Sequence, residues 1–136
     1  MSEKTAITPA GHTTPPARFS HGVRKGGILQ VAGQVGFGPA VPGQAPAPVG
    51  PGLREQTLQT LANVQAVLEE GGSSWEDVVM VRVYLVDLTP ARLEMVMPHL
   101  LALFGGAQPS LTGIGVAALA VPDLQMEVEM VVRLPS

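Results

Sequence analysis

The chain has 136 residues, a length that fits one domain with its own hydrophobic core. Hydrophobic residues make up 46% of it and charged residues 14%, a balance that excludes a disordered chain. Its net charge of −3 arises from 8 basic and 11 acidic residues, so the concentrated basic surface of a nucleic-acid-binding protein is not expected. The absence of cysteine excludes disulfides, a thiol nucleophile and a thiolate metal site.

Neither a targeting signal nor a membrane span is predicted. The first residues, MSEKTAITPAG, lack the apolar core of about 7–15 residues that follows a basic start in secretory signals. The longest apolar runs, such as Gly113 to Val121, are far shorter than the roughly 18 residues of a membrane helix. We therefore expect a cytoplasmic protein with no membrane partner. Its excess of apolar over charged residues also predicts burial between subunits, hence an oligomer.

The N-terminal part is rich in turn-forming residues. Of the 29 glycines and prolines, 18 lie in the first 52 positions and 10 lie between Gly36 and Gly52. This composition predicts a surface loop at about 36–52 within a single domain, residues 1–136. Before the loop, the apolar run from Ile28 to Val35 follows a glycine pair and predicts a buried strand. Residues Ala6 to Thr8 favour a short edge strand.

Two helices and three strands are predicted after the loop. Apolar residues recur at helical intervals from Leu58 to Leu68, and Gly71-Gly72 would end this helix. A second apolar helical face runs from Leu93 to Phe104, where Pro98 either kinks a helix that begins near Pro90 or starts a shorter one. The predicted strands are Val79 to Leu85, Thr112 to Ala118 and Leu124 to Leu134.

The predicted order of elements is β(β)αβαββ, and two helices can cover only one face of such a sheet. The other face would carry acidic and small residues together with Tyr84 and Val131. A mixed surface of this kind is typical of a subunit interface with polar clefts. Self-association is therefore expected.

Several segments resemble one protein family in order and spacing. The central helix and strand of the RidA/YjgF family, also called the L-PSP or reactive intermediate deaminase family, resemble EQTLQTLANVQAVLEEGGSSWEDVVMVRVYLVDL. The family's P-Y-S-Q-A-V…G…L-x-x-S-G-Q-I pattern is similar to RFSHGVRKGGILQVAGQVG. Its P-A-R-S-x-V-x-V-x-x-L and V-E-I-E-A segments are similar to PSLTGIGVAAL and LQMEVEMVV. The resemblance covers nearly the whole chain.

The resemblance implies a chorismate-mutase-like α+β fold, with a mixed β-sheet and two helices packed on one face. It also implies a homotrimer whose sheets form a central barrel, with small-molecule ligand clefts at the subunit interfaces. In the family's active deaminases, a cleft Arg pairs with the substrate carboxylate, a Tyr lines the pocket and a Glu on the last strand positions water. That water hydrolyses a reactive imine or enamine, such as 2-aminoacrylate, to a 2-keto acid and ammonia. No cofactor is expected.

Some of the family's functional positions keep a suitable residue. The glycine of S-G-Q falls on Gly33, and the Glu falls on Glu127, the expected catalytic residue. The Tyr falls on Phe19, which keeps the aromatic wall without the hydroxyl. Glu129 lies on the same strand face as Glu127, but a solvated or interface-paired charge is the simpler interpretation.

The carboxylate clamp is missing. With Pro109 and the shared GVAAL in register, the family's Arg falls on Leu111, and Thr112 beside it is a further expected substrate-binding position. A charge-assisted pair contributes about 1.5–3 kcal/mol, which is roughly 10- to 100-fold in affinity. An apolar residue there would also raise the pKa of a nearby carboxyl such as Glu127, which suits a general acid. We expect a neutral or less polar ligand.

Other residues carry less specific signals. His12, His21 and His99 lack the spacing of metal ligands, so no metal site is expected. The glycine-rich loop contains no GxxxxGK[ST] sequence and predicts no phosphate site. Arg18 is interpreted as a surface charge, with anion binding in place of the lost Arg as the alternative.

Three functions remain open from the sequence. The preferred one is hydrolysis of an imine or enamine, with Glu127 positioning water. The second is a non-catalytic trimer that binds or senses a small molecule. A ribonuclease fits worst because the composition lacks the basic, aromatic-rich surface that favours RNA binding.

Overall fold

The computed structural model describes residues 3–12 and 19–135, and it confirms the predicted α+β class. Its strands are β1 Thr5–Ile7, β2 Gly22–Lys25, β3 Ile28–Gln34, β4 Val78–Val86, β5 Ser110–Val116 and β6 Met126–Arg133. Its helices are α1 Leu53–Glu70 and α2 Pro90–Phe104, and a 3₁₀ turn spans Trp75–Asp77. Across the described ranges, no helix is both long and apolar enough to cross a bilayer.

The strands form a single mixed sheet in the order β1-β2-β3-β6-β4-β5. Neighbouring strands are antiparallel except β4 and β5, which run parallel. A parallel pair needs a crossover connection, and α2 provides it. The last strand of the chain, β6, therefore lies in the middle of the sheet between β3 and β4.

Both helices pack on one face of the sheet, as the family resemblance implied. Residues alternate along β6, so that Met126, Val128, Met130 and Val132 are fully buried while the residues between them are partly exposed. These four side chains belong to one hydrophobic core with residues of both helices, including Val64 and Leu68 of α1 and Val96 and Leu100 of α2. The residues between them lie on the face that no helix covers.

The strand β2 is absent from the sequence prediction. Gly22–Lys25 has four residues, two of them charged, and shows no apolar alternation that would mark a strand. It forms a hairpin with β3 because Gly26 and Gly27 both adopt positive φ angles, 58° and 83°, which favour glycine. The short sequence of β2 carries no signal of its own, and its pairing with β3 stabilises it.

Of the two lengths predicted for the second helix, the structure shows the longer one. It begins at Pro90 after the N-cap Thr89, whose side chain accepts a hydrogen bond from the backbone N–H of Arg92 at 3.2 Å. Pro98 lies within the helix on its exposed side. The missing N–H removes one intrahelical hydrogen bond there without ending the helix.

Gln56 connects the glycine- and proline-rich loop to the rest of the molecule. Its side chain is fully buried on α1. The amide nitrogen donates to the carbonyls of Gly50 and Asp123, each at 2.9 Å, and the amide oxygen accepts from the N–H of Gln125 at 2.8 Å. One side chain therefore joins the end of the loop, six residues before it, to the segment before β6, nearly 70 residues after it.

Candidate functional site

A cavity of about 510 Å³ lies where β3 ends and β6 begins. Phe19, Gly33 and Glu127, three of the residues predicted for the site, line this cavity. The Gly/Pro-rich loop and the segment before β6 supply apolar walls, among them Pro46 and Val121. Because Gln56 bonds to both of these segments, it holds the two walls in place.

A β-bulge in β3 shapes the cavity wall. Val31 pairs with Met130 and Gln34 pairs with Val128, so Ala32 and Gly33 together lie opposite a single residue of β6. The extra residue shifts the alternation of side chains along β3. As a result the side chain of Gln34 is buried with only 3% exposure, while Gly33 faces the cavity.

The carboxyl group of Glu127 lies directly against Gly33. A Cβ atom added at Gly33 would lie 2.5 Å from Glu127 Cδ and less than 3 Å from both carboxyl oxygens. Glycine is therefore the residue that leaves room for the carboxyl in this position. This contact explains in physical terms why a glycine precedes Gln34 in the S-G-Q-like segment.

The two carboxylates of β6 have different surroundings. Burial, and next the negative charge of Glu129, raise the pKa of the Glu127 carboxyl above its ordinary value. Glu129 instead accepts hydrogen bonds from Arg82 at 3.1 Å and from the Tyr84 hydroxyl at 2.5 Å. Two carboxyl groups in such different environments can take different roles, and Glu127 is the one suited to acid–base chemistry.

Two histidines and a glutamine form a polar cluster that the sequence analysis missed. The Gln34 amide lies 3.2 Å from His12 Nε2 and 3.3 Å from His21 Nδ1, and all three residues line the cavity. The two rings are in edge-to-face contact, with centroids 4.9 Å apart. Burial, and next the neighbouring His21, lower the pKa of His12. Their spacing in the sequence carries no signal for this cluster, because the bulge and the β2–β3 hairpin create it.

The cluster contains two imidazole groups, those of His12 and His21. Within residues 3–12 and 19–135, no group of three or more His, Cys, Asp or Glu side chains could hold a metal ion. Asn63, a further polar residue of the cavity wall, uses its amide to donate to the carbonyls of Val35 and Phe37, at 2.8 and 3.0 Å.

The sequence profile of the Endoribonuclease L-PSP family matches residues 11–134. The chain belongs to this family. L-PSP is another name for the RidA/YjgF family, so the predicted membership in that family is confirmed.

Curated relatives and solved structures agree with the L-PSP assignment. A RutC family protein of Pyrococcus abyssi is 33% identical over 118 residues, covering 86% of this chain and 87% of the relative. RutC family protein YjgH of Escherichia coli is 29% identical over 138 residues, covering 99% and 98%. A crystal structure of the yeast protein YEO7 superposes with a TM-score of 0.84 over 98% of this chain and all of that chain, at 22% identity, which supports the fold alone.

This L-PSP family member places its remaining predicted ligand residues away from the cavity. Leu111 and Thr112 lie on β5, one of the two edge strands, where they pair with Val81 and Arg82 of β4. Neither residue lines the cavity of its own chain, and both are exposed. The structure therefore brings together Phe19, Gly33 and Glu127 but not the two residues of β5. Arg18 lies outside the described residues.

Proposed function

We propose that this L-PSP family member is a cytoplasmic homotrimer that hydrolyses reactive imines or enamines in clefts between its subunits. The observation that carries the proposal is the Glu127 carboxyl, half-buried against Gly33 in a largely apolar cavity. A second chain would cover the predicted ligand residues that are exposed in a single chain. Phe19, 58% exposed at the cavity, and Leu111, 37% exposed on the edge strand, would both be covered by a neighbouring subunit.

The chemistry needs one group that takes and returns a proton. Ionised Glu127 accepts a proton from a water molecule while that water attacks the carbon of the C=N bond. The oxygen bonds to that carbon as the π electrons of C=N move to the nitrogen, which takes the proton back from the carboxyl and gives a neutral carbinolamine. Glu127 then accepts the hydroxyl proton of the carbinolamine and returns it to the nitrogen as C=O forms and the C–N bond breaks, which yields a carbonyl compound and ammonia. Burial raises the pKa of this carboxyl, which makes it a better proton acceptor than an ordinary glutamate while it can still return the proton.

The charges around the cavity favour a substrate without a carboxylate. Its described lining contains Glu127 but no Lys or Arg. A substrate carboxylate would therefore lie near a negative charge in a partly desolvated site, with no cation among the described lining residues to offset it. A carboxylate-free imine avoids this repulsion, in agreement with Leu111 at the clamp position.

Replacing Leu111 with Arg tests this preference. We expect wild type to accelerate hydrolysis of the imine that an amine oxidase makes from isobutylamine, and to act poorly on 2-aminoacrylate. The Leu111→Arg variant should gain about 10- to 100-fold in kcat/KM on 2-aminoacrylate, because a bidentate pair with its carboxylate becomes available. Ammonia release measures both reactions. A ligand screen in which wild type binds only small carboxylates would contradict the proposed preference.

Replacing Gly33 with Ala tests the position of the carboxyl. The added methyl group displaces the Glu127 carboxyl, and a misplacement of about 1 Å can cost roughly 100-fold in rate. We expect a loss of that size in kcat with a change in stability below about 1 kcal/mol, because the displaced group is the end of a flexible side chain. Gly106→Ala is the matched control, since a Cβ there meets no atom within 4 Å. Equal rates for the two variants would argue against a fixed carboxyl.

A non-catalytic binding protein is the second candidate. The observation that favours it is that no Lys or Arg stands among the described residues of the cavity lining. In the family's active deaminases, an Arg pairs with the carboxylate of the substrate. Thermal stabilisation by small ketones without ammonia release from any imine would support this role.

A further inference from the structure

We propose that Phe37 is a specificity-determining residue of this cavity and that it receives a bulky apolar substituent, branched aliphatic or aromatic, on the carbon of an imine substrate. Asn63 is its positioning residue. The inference rests on the proposed function in one respect, namely that the cavity holds the substrate. It adds which part of the substrate contacts which wall.

The walls that come from the Gly/Pro-rich loop and from the segment before β6 are apolar. Phe37, Pro46 and Val121 belong to them, and no described lining residue of either segment has a polar side chain. The loop, residues 36–52, contains no charged residue. The polar side chains of the described lining lie mainly on β3, on β6 and before β2, with Gln34 and Glu127 among them. The reacting group and an apolar substituent would therefore contact different parts of the cavity.

The cavity is larger than a small substrate needs. Its volume of about 510 Å³ falls within the range of about 300–1,000 Å³ that is usual for pockets with drug-sized ligands. An imine of two or three carbons would leave most of this space to water that lies against apolar walls. A bulky apolar substituent displaces that water, and each buried CH₂ group then increases the affinity about fourfold.

Hydrogen bonds from α1 hold the backbone at Phe37. The amide nitrogen of Asn63 donates to the carbonyls of Val35 and Phe37, at 2.8 and 3.0 Å. The amide oxygen accepts from Gln59 at 2.9 Å, which orients the amide. Both amide hydrogens are used on the start of the loop, so Asn63 acts on the ligand through Phe37.

The start of the loop lies directly on α1. A Cβ atom added at Gly36 would lie 2.8 Å from Gln56 Cα, a backbone atom that cannot move aside. Across the base of the loop, the N–H of Val49 donates to the carbonyl of Gly36 at 2.9 Å. Phe37 itself forms an isolated β-bridge with Pro48. Its backbone is therefore held from the helix and from the returning end of the loop.

The tip of the loop is ordered by a β-turn. The N–H of Gln44 donates to the carbonyl of Val41 at 3.0 Å. Pro42 and Gly43 occupy the two central positions, and Gly43 has a φ of 79°, the pattern of a type II turn. Pro46 lines the cavity soon after this turn. Because an ordered wall loses little conformational freedom when a ligand packs against it, the wall can select a substituent by its size.

The role of Phe37 is tested with two methyl ketones, acetone and 4-methyl-2-pentanone. The larger ketone has three more carbons, and we expect wild type to bind it about 10- to 50-fold more tightly. Phe37→Ala should lower this ratio of affinities about 5- to 10-fold, and Phe37→Leu should keep it within about threefold of wild type. Val41→Ala is the control, because it shortens an apolar side chain of the same loop that does not line the cavity. Its ratio should equal that of wild type.

The positioning role of Asn63 has its own test. Asn63→Ala removes both donors to the loop carbonyls, so the ratio of the two affinities should fall about 5- to 10-fold. Gln59→Ala is the control, because it removes only the donor to the Asn63 oxygen and leaves the two bonds to the loop. A role limited to stability would lower the Tm of Asn63→Ala without changing the ratio, and that result would overturn the positioning role.

Ammonia release separates this inference from the proposed function. We expect a kcat/KM about tenfold higher for the imine that an amine oxidase makes from isobutylamine than for the one made from ethylamine, and a smaller difference in Phe37→Ala. Hydrolysis of both imines by wild type with equal kcat/KM would overturn this inference and leave the hydrolase intact. A ketone ratio that falls in Phe37→Ala, without ammonia release from any imine, would support the role of Phe37 and contradict the hydrolase.

Three binding results would also overturn the inference. Two of them are equal affinity of wild type for the two ketones and binding of neither ketone. The third is an unchanged ratio in a folded Phe37→Ala variant. If the molar mass of the assembly changed in that variant while the ratio did not, Phe37 would belong to a contact between subunits.

Discussion

Replacing Glu127 with Gln should reduce the kcat of ammonia release by about 100- to 10,000-fold, the usual contribution of a general acid–base group. Glutamine has nearly the same shape as glutamate, so the cavity and the contact with Gly33 are kept while the ability to exchange a proton is lost. We expect ligand affinity to stay within about threefold of wild type, because an uncharged amide removes no attractive partner. Single-turnover rates and ligand titrations on the same samples measure the two effects.

Glu129→Gln is the matched control, because this carboxylate lies on the same face of β6 but bonds to Arg82 and Tyr84. We expect its kcat to change by less than about tenfold, since it exchanges no proton with the substrate. Its charge is the second cause of the raised pKa of Glu127, after burial. Removing that charge lowers the pKa of Glu127, so the acid limb of the pH–rate profile should move to lower pH. A wild-type rate in Glu127→Gln, or an acid limb that does not move, would contradict the assigned role.

The largest effect on stability is expected for Gln56→Leu. Leucine fills a similar volume but leaves the carbonyls of Gly50 and Asp123 and the N–H of Gln125 without their partner. The bonds are part-buried, and each group left facing an apolar side chain instead of its partner costs about 1–3 kcal/mol. We therefore expect the free energy of unfolding to fall by about 3 kcal/mol and the Tm by about 10 °C, measured at one protein concentration without ligand.

Gln59→Leu is the control for this change. Gln59 lies on the same helix, is only partly buried, and donates to Asn63 at 2.9 Å. Its substitution should alter the free energy of unfolding by less than about 0.5 kcal/mol. A similar loss of unfolding free energy in both variants would show that any glutamine on α1 contributes this much to stability. The link that Gln56 makes between the two cavity walls would then not be the cause of the loss.

The regular elements were predictable where side chains alternate or recur over many residues. The strand β6 shows a two-residue period in its buried methionines and valines. The helix α1 shows a helical period in its buried residues from Leu61 to Leu68, whereas Leu58, which the sequence placed on the same face, is 42% exposed. In both cases one face is buried in the core, so apolar residues recur in the sequence with the period of the element. The four residues of β2 are too few for such a pattern.

The polar cluster could not be predicted because it depends on a single inserted residue. By strict alternation from Leu29 and Val31, Gly33 would point into the core and Gln34 away from it. The bulge reverses this order, so Gln34 reaches the core side and meets His12 and His21. The hydrogen-bonded side chains are 13 and 22 positions apart in the sequence, and neither separation follows the period of a helix or a strand.

The candidate site itself came from the family resemblance rather than from periodicity. Alternation alone places Glu127 and Glu129 on one face without distinguishing them. The structure separates them, because Glu127 lies in the cavity against Gly33 while Glu129 is bonded to Arg82 and Tyr84. The roles of Leu111 and Thr112 depend on a second chain and stay predictions.

Hydrolysis of a carboxylate-free imine by the wild-type chain can be measured directly. The initial rate of ammonia release would be compared with and without the protein, for the imine made from isobutylamine and for the imine made from valine, which differs by the carboxylate. We expect acceleration above the spontaneous rate for both imines and a larger kcat/KM for the isobutylamine product. No acceleration of either imine would contradict a hydrolase and favour a binding role, and a clear preference for the valine imine would contradict the neutral-ligand site.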